Sequence, residues 1–430
     1  MAASPSNAPR RAGHDLNNNN NKDNPMPPPP NIAAAAPPGP IGRQAASGAT
    51  APTAATPGPG QRLESIQVLR GIAALLVVLH HVSLIPHEVD LTSDFQRWFY
   101  EAGPKLGSFG VDLFFAISGF VMLFSIQNRF GRGVAQEFIA NRALRILPIY
   151  YLISGYVLFQ IIQNGDPLNI GRVINTATLL PIVDTGPYEN SLLSVSWTLV
   201  FEFLFYFVVA SVIAMGARNR VAWIIGITIA LPTIGRLLEF DRSHLTVVRF
   251  AMSPMMYEFS FGILAYVAWR SGWIERNHRL IRALALLSIP VVVWIAGFDP
   301  VNADNAEYDG TRVGAWLRAF GWGIPAALMF AAALSFRVTD RQLIARPLLA
   351  LGDASYTLYL FHLPVMSAVL RRMGDSPMWL KGIAAVVSSV IAALIVYRLV
   401  EYPMTRISKR LLARLRARYA DPAAPARTKA

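Results

Sequence analysis

An arginine and a histidine stand in a stretch that is otherwise fit for lipid. Residues 66–85, IQVLRGIAALLVVLHHVSLI, are about one bilayer thickness of mostly apolar side chains, long enough to span as a helix. Within it lie Arg70, His80 and His81. Polar groups cost free energy in hydrocarbon, so these side chains are not expected to face lipid unpaired. Arg70 and His81 are eleven residues apart, which on a helix is roughly three turns plus 20°, with a rise of about 16 Å. Both therefore project from one face, while His80 points about 100° away from His81. A guanidinium suits phosphate because its planar fork donates bidentately and stays charged. An imidazole can take or carry a proton near neutral pH. The competing reading is that Arg70 snorkels to the headgroups and His81 makes a helix–helix hydrogen bond.

Other ionisable groups sit in similar runs: Asp112 in FGVDLFFAISGF, Glu202 in SVSWTLVFEFLFY and His362 in SYTLYLFHLPV. The composition explains why such groups stand out. Of 430 residues 53% are hydrophobic and 15% charged, against about 25% charged in soluble domains. The low charge and repeated apolar runs predict an all-α polytopic membrane helix bundle. In such a protein the net charge of +13 says little about nucleic acid, and none is expected as a partner. The absence of cysteine excludes a cysteine nucleophile, a thiolate metal site and any disulfide. No histidine–carboxylate spacing suggests zinc, and no glycine-rich phosphate loop is present.

The elements that must position these side chains are ten expected spans, near 66–85, 107–126, 143–162, 194–214, 221–236, 250–269, 280–298, 314–335, 347–370 and 379–400. The fifth is short and contains Pro232. The apolar segment 173–183 is too short to span and reads as interfacial or re-entrant. Residues 1–62 hold 13 of the 30 prolines and no Phe, Trp or Tyr, so they are expected to form a disordered cytoplasmic tail. They lack the apolar core of a signal peptide. Residues 63–405 form the membrane domain and 406–430 a basic cytoplasmic tail.

Arginines gather in alternate loops, among them Arg142 and Arg145, Arg218 and Arg220, and Arg270 and Arg276, while the 299–313 loop is acidic. Excess Lys and Arg mark cytoplasmic loops, which puts both termini in the cytoplasm. With that topology His81, His362, Glu202 and Asp112 fall in one slab of the outer half. Arg70, Arg142 and Arg145 gather at the opposite, cytoplasmic level, where ordinary positive-inside arginines are the competing reading. The roughly 16 Å between Arg70 and His81 is comparable to the reach of a pantetheine arm. A coenzyme A could keep its phosphates on the arginines and its thioester in the slab.

Five stretches then become familiar together: LRGIAALLVVLHH, GVDLFFAISGF, RALRILPIYY, SVSWTLVFEFLFY and SYTLYLFHLPV. In this order they resemble the membrane-bound acyltransferase 3 family, over about residues 63–405, and most closely its stand-alone members that acetylate exopolysaccharide. The family's Arg-x10-His falls on Arg70 and His81, which makes His81 the expected catalytic residue. Its W-[ST]-L-x-x-E-x-x-F-Y pattern falls on Trp197, Thr198, Leu199, Glu202, Phe205 and Tyr206. Its H-x-P falls on His362 and Pro364, preceded by Ser355, Tyr356 and Tyr359. Trp197, Ser355, Tyr356 and Tyr359 are the expected substrate contacts, with packing as the competing role of the aromatics. The long N-terminal tail departs from the pattern, and no esterase-like domain follows.

The resemblance implies an integral membrane O-acyltransferase of the cell inner membrane. It would carry an acetyl group from cytoplasmic acetyl-CoA to a hydroxyl of an exopolysaccharide or other surface glycan, free or lipid-linked, with no permanently bound cofactor and no metal. His81 would be general base or acyl-carrying nucleophile. Glu202 or Asp112 would orient its ring or polarise the acceptor, and His362 would assist at the oxyanion or the acceptor. Succinyl transfer to periplasmic glucans is the alternative chemistry. A transporter or flippase is the alternative class, since membrane-buried ionisable groups also mark transport paths.

Overall fold

In a computed structural model, residues 59–84, 94–126, 130–185, 191–239, 245–298, 313–336 and 345–419 are described. Residues 1–58 of the expected N-terminal tail, His87, His244 and the acidic 299–312 segment lie outside them, while 59–62 of that expected tail form the first turn of a helix. Among the described residues the fold is helical throughout, with no strand.

Eight helical segments of the described residues are long and apolar enough to cross a membrane: Glu64–Ser83, Leu106–Ile126, Arg132–Asn164, Ser194–Ala214, Arg220–Leu237, His278–Gly297, Gly314–Leu334 and Met378–Arg410. They match eight of the ten expected spans, including the fifth, whose Pro232 is accommodated inside the helix. The other two expected spans are broken. The sixth is a short helix, Thr246–Ala251, a bend, and a 15-residue helix, Met256–Arg270. The ninth is two helices, Ala345–Asp353 and Ser355–Met373. The sixth is interrupted at Pro254, which cannot continue the preceding helix, and the ninth breaks at Ala354, ahead of a helix that carries the buried Ser355 and His362. Two further boundaries differ. The third helix begins at Arg132, so Arg142 and Arg145 lie within it and not at its mouth. The last continues past 405 to Tyr419, so the expected start of the tail falls inside a helix.

We name α1 (Pro59–Ser83), α2 (Asp94–Ile126), α3 (Arg132–Asn164), α4 (Ile170–Thr178), α5 (Trp197–Ala214), α6 (Arg220–Leu237), α7 (Thr246–Ala251), α8 (Met256–Arg270), α9 (Trp273–Arg276), α10 (His278–Phe298), α11 (Val313–Gly321), α12 (Gly323–Leu334), α13 (Ala345–Asp353), α14 (Ser355–Met373), α15 (Met378–Val396) and α16 (Tyr402–Tyr419). The expected interfacial segment is α4 with the irregular stretch after it. Asn169 caps α4 by accepting from the Arg172 amide, and the Asn175 side chain clasps both backbone groups of Val183.

α1 and α2 form the centre. α1 packs against α2, α12, α13, α14 and α15, and α2 against α1, α5, α8, α10 and α12. Lipid offers no hydrophobic drive between helices, so small residues that admit close backbone approach decide who packs with whom. Gly119 on α2 lies against the Phe259 carbonyl, and Gly262 on α8 lies against that of Ala116, a reciprocal contact that a Cβ on either would break. Gly71 on α1 and Gly352 on α13 make the same exchange with Leu348 and Gln67. Aromatic rings fill the spaces between: Phe259 stacks on Phe115 and, at 4.4 Å between centroids, on Phe205.

Candidate active site

α1 carries the arginine and histidine at its two levels, and different helices complete each. At the upper level α14 brings His362 to His81. The Nε2 of His362 lies 3.2 Å from the Nδ1 of His81, with ring centroids 4.8 Å apart. The His81 Nδ1 also lies 2.9 Å from the Val77 carbonyl, one turn back on α1. The His362 Nδ1 lies 3.1 Å from the Leu358 carbonyl, one turn back on α14. His362 is fully buried, whereas His81 is partly accessible. The His80 ring meets that of His81 edge-on at 4.7 Å.

At the lower level Arg70, Arg142 and Arg145 line a cavity of 540 Å³ together with Arg406 and Lys409 of α16. Three carboxylates, Glu137, Asp353 and Glu401, share its walls. Arg70 donates to Gln67 (3.3 Å), which in turn donates to Asp353 (3.1 Å). Arg142 donates to Ser125 (3.0 Å) and lies over the rings of Phe138 and Tyr206. The same three arginines and Gln67 also line a second, deeper cavity of 320 Å³ between α1, α2, α3, α5 and α14. Its walls are largely apolar, with Glu202, Tyr206, Thr198, Ser355, Tyr356 and Tyr359 among them.

The two carboxylates expected beside the histidines are engaged elsewhere. Glu202 accepts from the Ser118 hydroxyl (3.1 Å) and from the Tyr206 hydroxyl, on the wall of the deeper cavity with the arginines. Asp112 is fully buried and paired with Arg318 of α11 at 3.2 Å. Arg318 also donates to the Ser108 carbonyl (3.4 Å) and lies over Trp322. Thus the expected slab of two imidazoles and two carboxylates resolves into a histidine pair, a glutamate by the arginine cavity and a buried ion pair. Among the described contacts of the His81 ring there is no carboxylate. Shared depth does not imply a shared site, because depth ignores the direction in which each helix faces.

Of the four expected substrate contacts, three line the deeper cavity. The Tyr356 hydroxyl donates to the Ile146 carbonyl (2.9 Å), and that of Tyr359 to the Val195 carbonyl (2.9 Å), beside the Thr198 hydroxyl at 2.8 Å. The Ser355 hydroxyl is buried in the cavity wall and makes no hydrogen bond among the described residues. Trp197 packs edge-on against Phe201 instead.

Some participants were not anticipated. Glu401 is turned inward and accepts from Thr357. Ser118 donates to Glu202. Arg318 and Glu258 are buried ionisable residues inside apolar runs, and an ionisable residue within a span was the signal that could have found them. Arg406 and Lys409 carried no such signal, since basic residues after a last span are ordinary. Among the described residues no group of histidines and carboxylates could hold a metal ion.

Comparison with known proteins gives the arrangement a context. A family described as an acyltransferase domain matches residues 63–398. The exopolysaccharide production protein ExoZ of Rhizobium meliloti (strain 1021) is 30% identical over 328 residues, covering 74% of this chain and 96% of its own. Nodulation protein 10 of Rhizobium leguminosarum bv. viciae is 26% identical over 330 residues, 71% of this chain and 84% of its own. The O-acetyltransferase OatA of Staphylococcus aureus (strain NCTC 8325 / PS 47) is 22% identical over 372 residues, 80% of this chain and 57% of its own. No solved structure matches.

Proposed function

This chain belongs to the acyltransferase-domain family, and from that premise we propose that it O-acetylates a hydroxyl of an exopolysaccharide or related surface glycan, with cytoplasmic acetyl-CoA as donor. It is a multi-pass membrane acyltransferase, so the transporter alternative falls away. Its similarity to an exopolysaccharide production protein along nearly that protein's whole length, and to an O-acetyltransferase, supports the glycan acceptor and the acetyl group. Succinyl transfer is the competing donor chemistry.

The observation that carries the donor reading is the pair of cavities meeting at Arg70, Arg142 and Arg145. The outer one offers five basic side chains, the chemistry of a phosphate-rich head group. The inner one is mostly apolar and lined by several hydroxyls, which suits a pantetheine arm with a short acyl end. In this reading the Ser355 hydroxyl finds its partner in an amide carbonyl of the donor's arm. His81, about 16 Å along α1 from Arg70, takes the proton of the acceptor hydroxyl. We place the protein in the inner membrane with the arginine cavity and both termini facing the cytoplasm, which puts the donor's entrance where acyl-CoA is found.

The test is transfer of radiolabelled acetyl from acetyl-CoA to exopolysaccharide by the purified protein, in parallel with succinyl-CoA. Arg70→Lys keeps the charge and loses the fork, so acetyl-CoA affinity should fall about ten- to a hundredfold, as expected for one charge-assisted hydrogen bond. Arg70→Ala should lose more. Unchanged donor affinity in Arg70→Ala would overturn the donor site, and preferential consumption of succinyl-CoA would overturn the acetyl assignment.

A further inference from the structure

Two imidazoles in contact pose a question that their distances answer. The Val77 and Leu358 carbonyls can only accept hydrogen bonds. A ring nitrogen 2.9 Å from the first and another 3.1 Å from the second are therefore each N–H donors. That places the proton of His362 on Nδ1 and leaves a lone pair on its Nε2. This lone pair lies 3.2 Å from the His81 Nδ1, which already carries a proton and so donates to both Val77 and His362. Donation runs in one direction, from His81 to His362 and from His362 to the Leu358 carbonyl. A neutral ring holds a single proton, so the Nε2 of His81 is the free lone pair.

We propose that His362 is a positioning residue, whose Nε2 accepts from the His81 Nδ1–H, holds the ring in the Nδ1–H form and so makes His81 Nε2 the reacting nitrogen. The proposal rests on the reading of His81 as the reacting base. It also removes His362 from the oxyanion or acceptor role expected of it, because both of its nitrogens are spent inside the protein and its side chain is fully buried.

In the transfer step the acceptor hydroxyl gives its proton to His81 Nε2 as its oxygen bonds to the thioester carbonyl carbon. The carbon–sulfur bond breaks, sulfur leaves with the bonding pair and receives that proton, and the imidazole is neutral again. While His81 is protonated, part of its charge rests on Nδ1–H. The Val77 carbonyl and His362 Nε2 then accept a stronger, charge-assisted bond than in the resting state. The aspartate of a serine-protease triad does the same for its histidine with a full negative charge. A neutral acceptor suits a site enclosed by apolar helices, since it adds no buried ion.

Ring-nitrogen magnetic resonance of isotope-labelled histidine in the full-length protein, with His81 assigned by difference from His81→Asn, reads the tautomer without donor or acceptor. His81 and His362 should both be protonated at Nδ1 and unprotonated at Nε2. A His81 proton on Nε2 would overturn the proposal, whatever the protein transfers. For activity, His362→Leu should lower kcat about ten- to a hundredfold, the size expected for one hydrogen bond to a group that becomes charged, with donor KM little changed. His362→Gln, whose side-chain carbonyl can accept in place of Nε2, should recover most of that loss. Equal losses in the two folded variants would reduce His362 to a packing role. Should neither variant fold, the wild-type spectrum decides alone.

Discussion

At the scale of single residues, the unequal surroundings of superficially similar groups assign different work. His80 and His81 are adjacent imidazoles on different faces of α1, and the His81 ring meets a second helix through His362. His81→Ala should abolish acyl transfer in a protein that still inserts and folds; loss of general acid–base help typically costs about 10²–10⁴ in rate. His80→Ala should cost far less, and a transfer assay on both variants checks this, with equal losses counting against His81. Glu202 and Asp112 are a second contrast. Glu202 borders the cavity, whereas Asp112 is enclosed with Arg318, both almost without solvent contact. Removing one partner of a buried pair strands the other charge, at about 3–5 kcal/mol. Asp112→Ala should therefore appear first as a lower midpoint of thermal unfolding in detergent. A fully stable but inactive Asp112→Ala protein would return this carboxylate to the catalytic machinery.

At the scale of elements, the site depends on helices that touch through backbone. The reciprocal contacts of Gly119 with Phe259 and of Gly262 with Ala116 leave no room for a β-carbon. Gly119→Leu or Gly262→Leu should push α2 and α8 apart and lower the yield of monodisperse protein. Gly226 on α6, beside whose backbone lies open space, is the control, and Gly226→Leu should be tolerated. Size-exclusion profiles of the three variants give the answer. Near the other end of the chain, a π turn at Tyr397–Glu401 joins α15 to α16. It adds a residue to one turn and so rotates the facing of the residues that follow it, Arg406 and Lys409 among them. Glu401 turns inward onto Thr357, and Arg406 and Lys409 come to line the arginine cavity. A segment that reads as a basic tail thus becomes part of a wall.

At the scale of the whole molecule, the bundle sets the two levels of α1 in different company: a histidine from α14 above, arginines from α3 and α16 below. The proposed orientation places the lower level in the cytoplasm, on the strength of the alternate arginine-rich loops. A reporter fused after Arg276 should then read cytoplasmic, and one fused after Asp304, which lies outside the described residues, periplasmic. The reverse pair of readings would turn the molecule over and deny acyl-CoA its entrance from the cytoplasm.

The sequence by itself determined the membrane helix class, eight of the spans, the reach from Arg70 to His81 and, through five ordered motifs, the family. Each of these is local: hydrophobic length and helical period are properties of one segment and its own axis. Only the tertiary structure decided what each segment faces. His81 and His362 are 281 residues apart, and no periodicity within α1 or α14 says that the two faces meet. Depth in the bilayer put Asp112 and Glu202 beside the histidines, but packing through Gly110, Gly119 and Gly352 sets the approach of each helix and its rotation, and turns these carboxylates toward Arg318 and Tyr206. Helix period gives direction relative to one axis, and a site is a relation among several axes, which side-chain packing alone supplies.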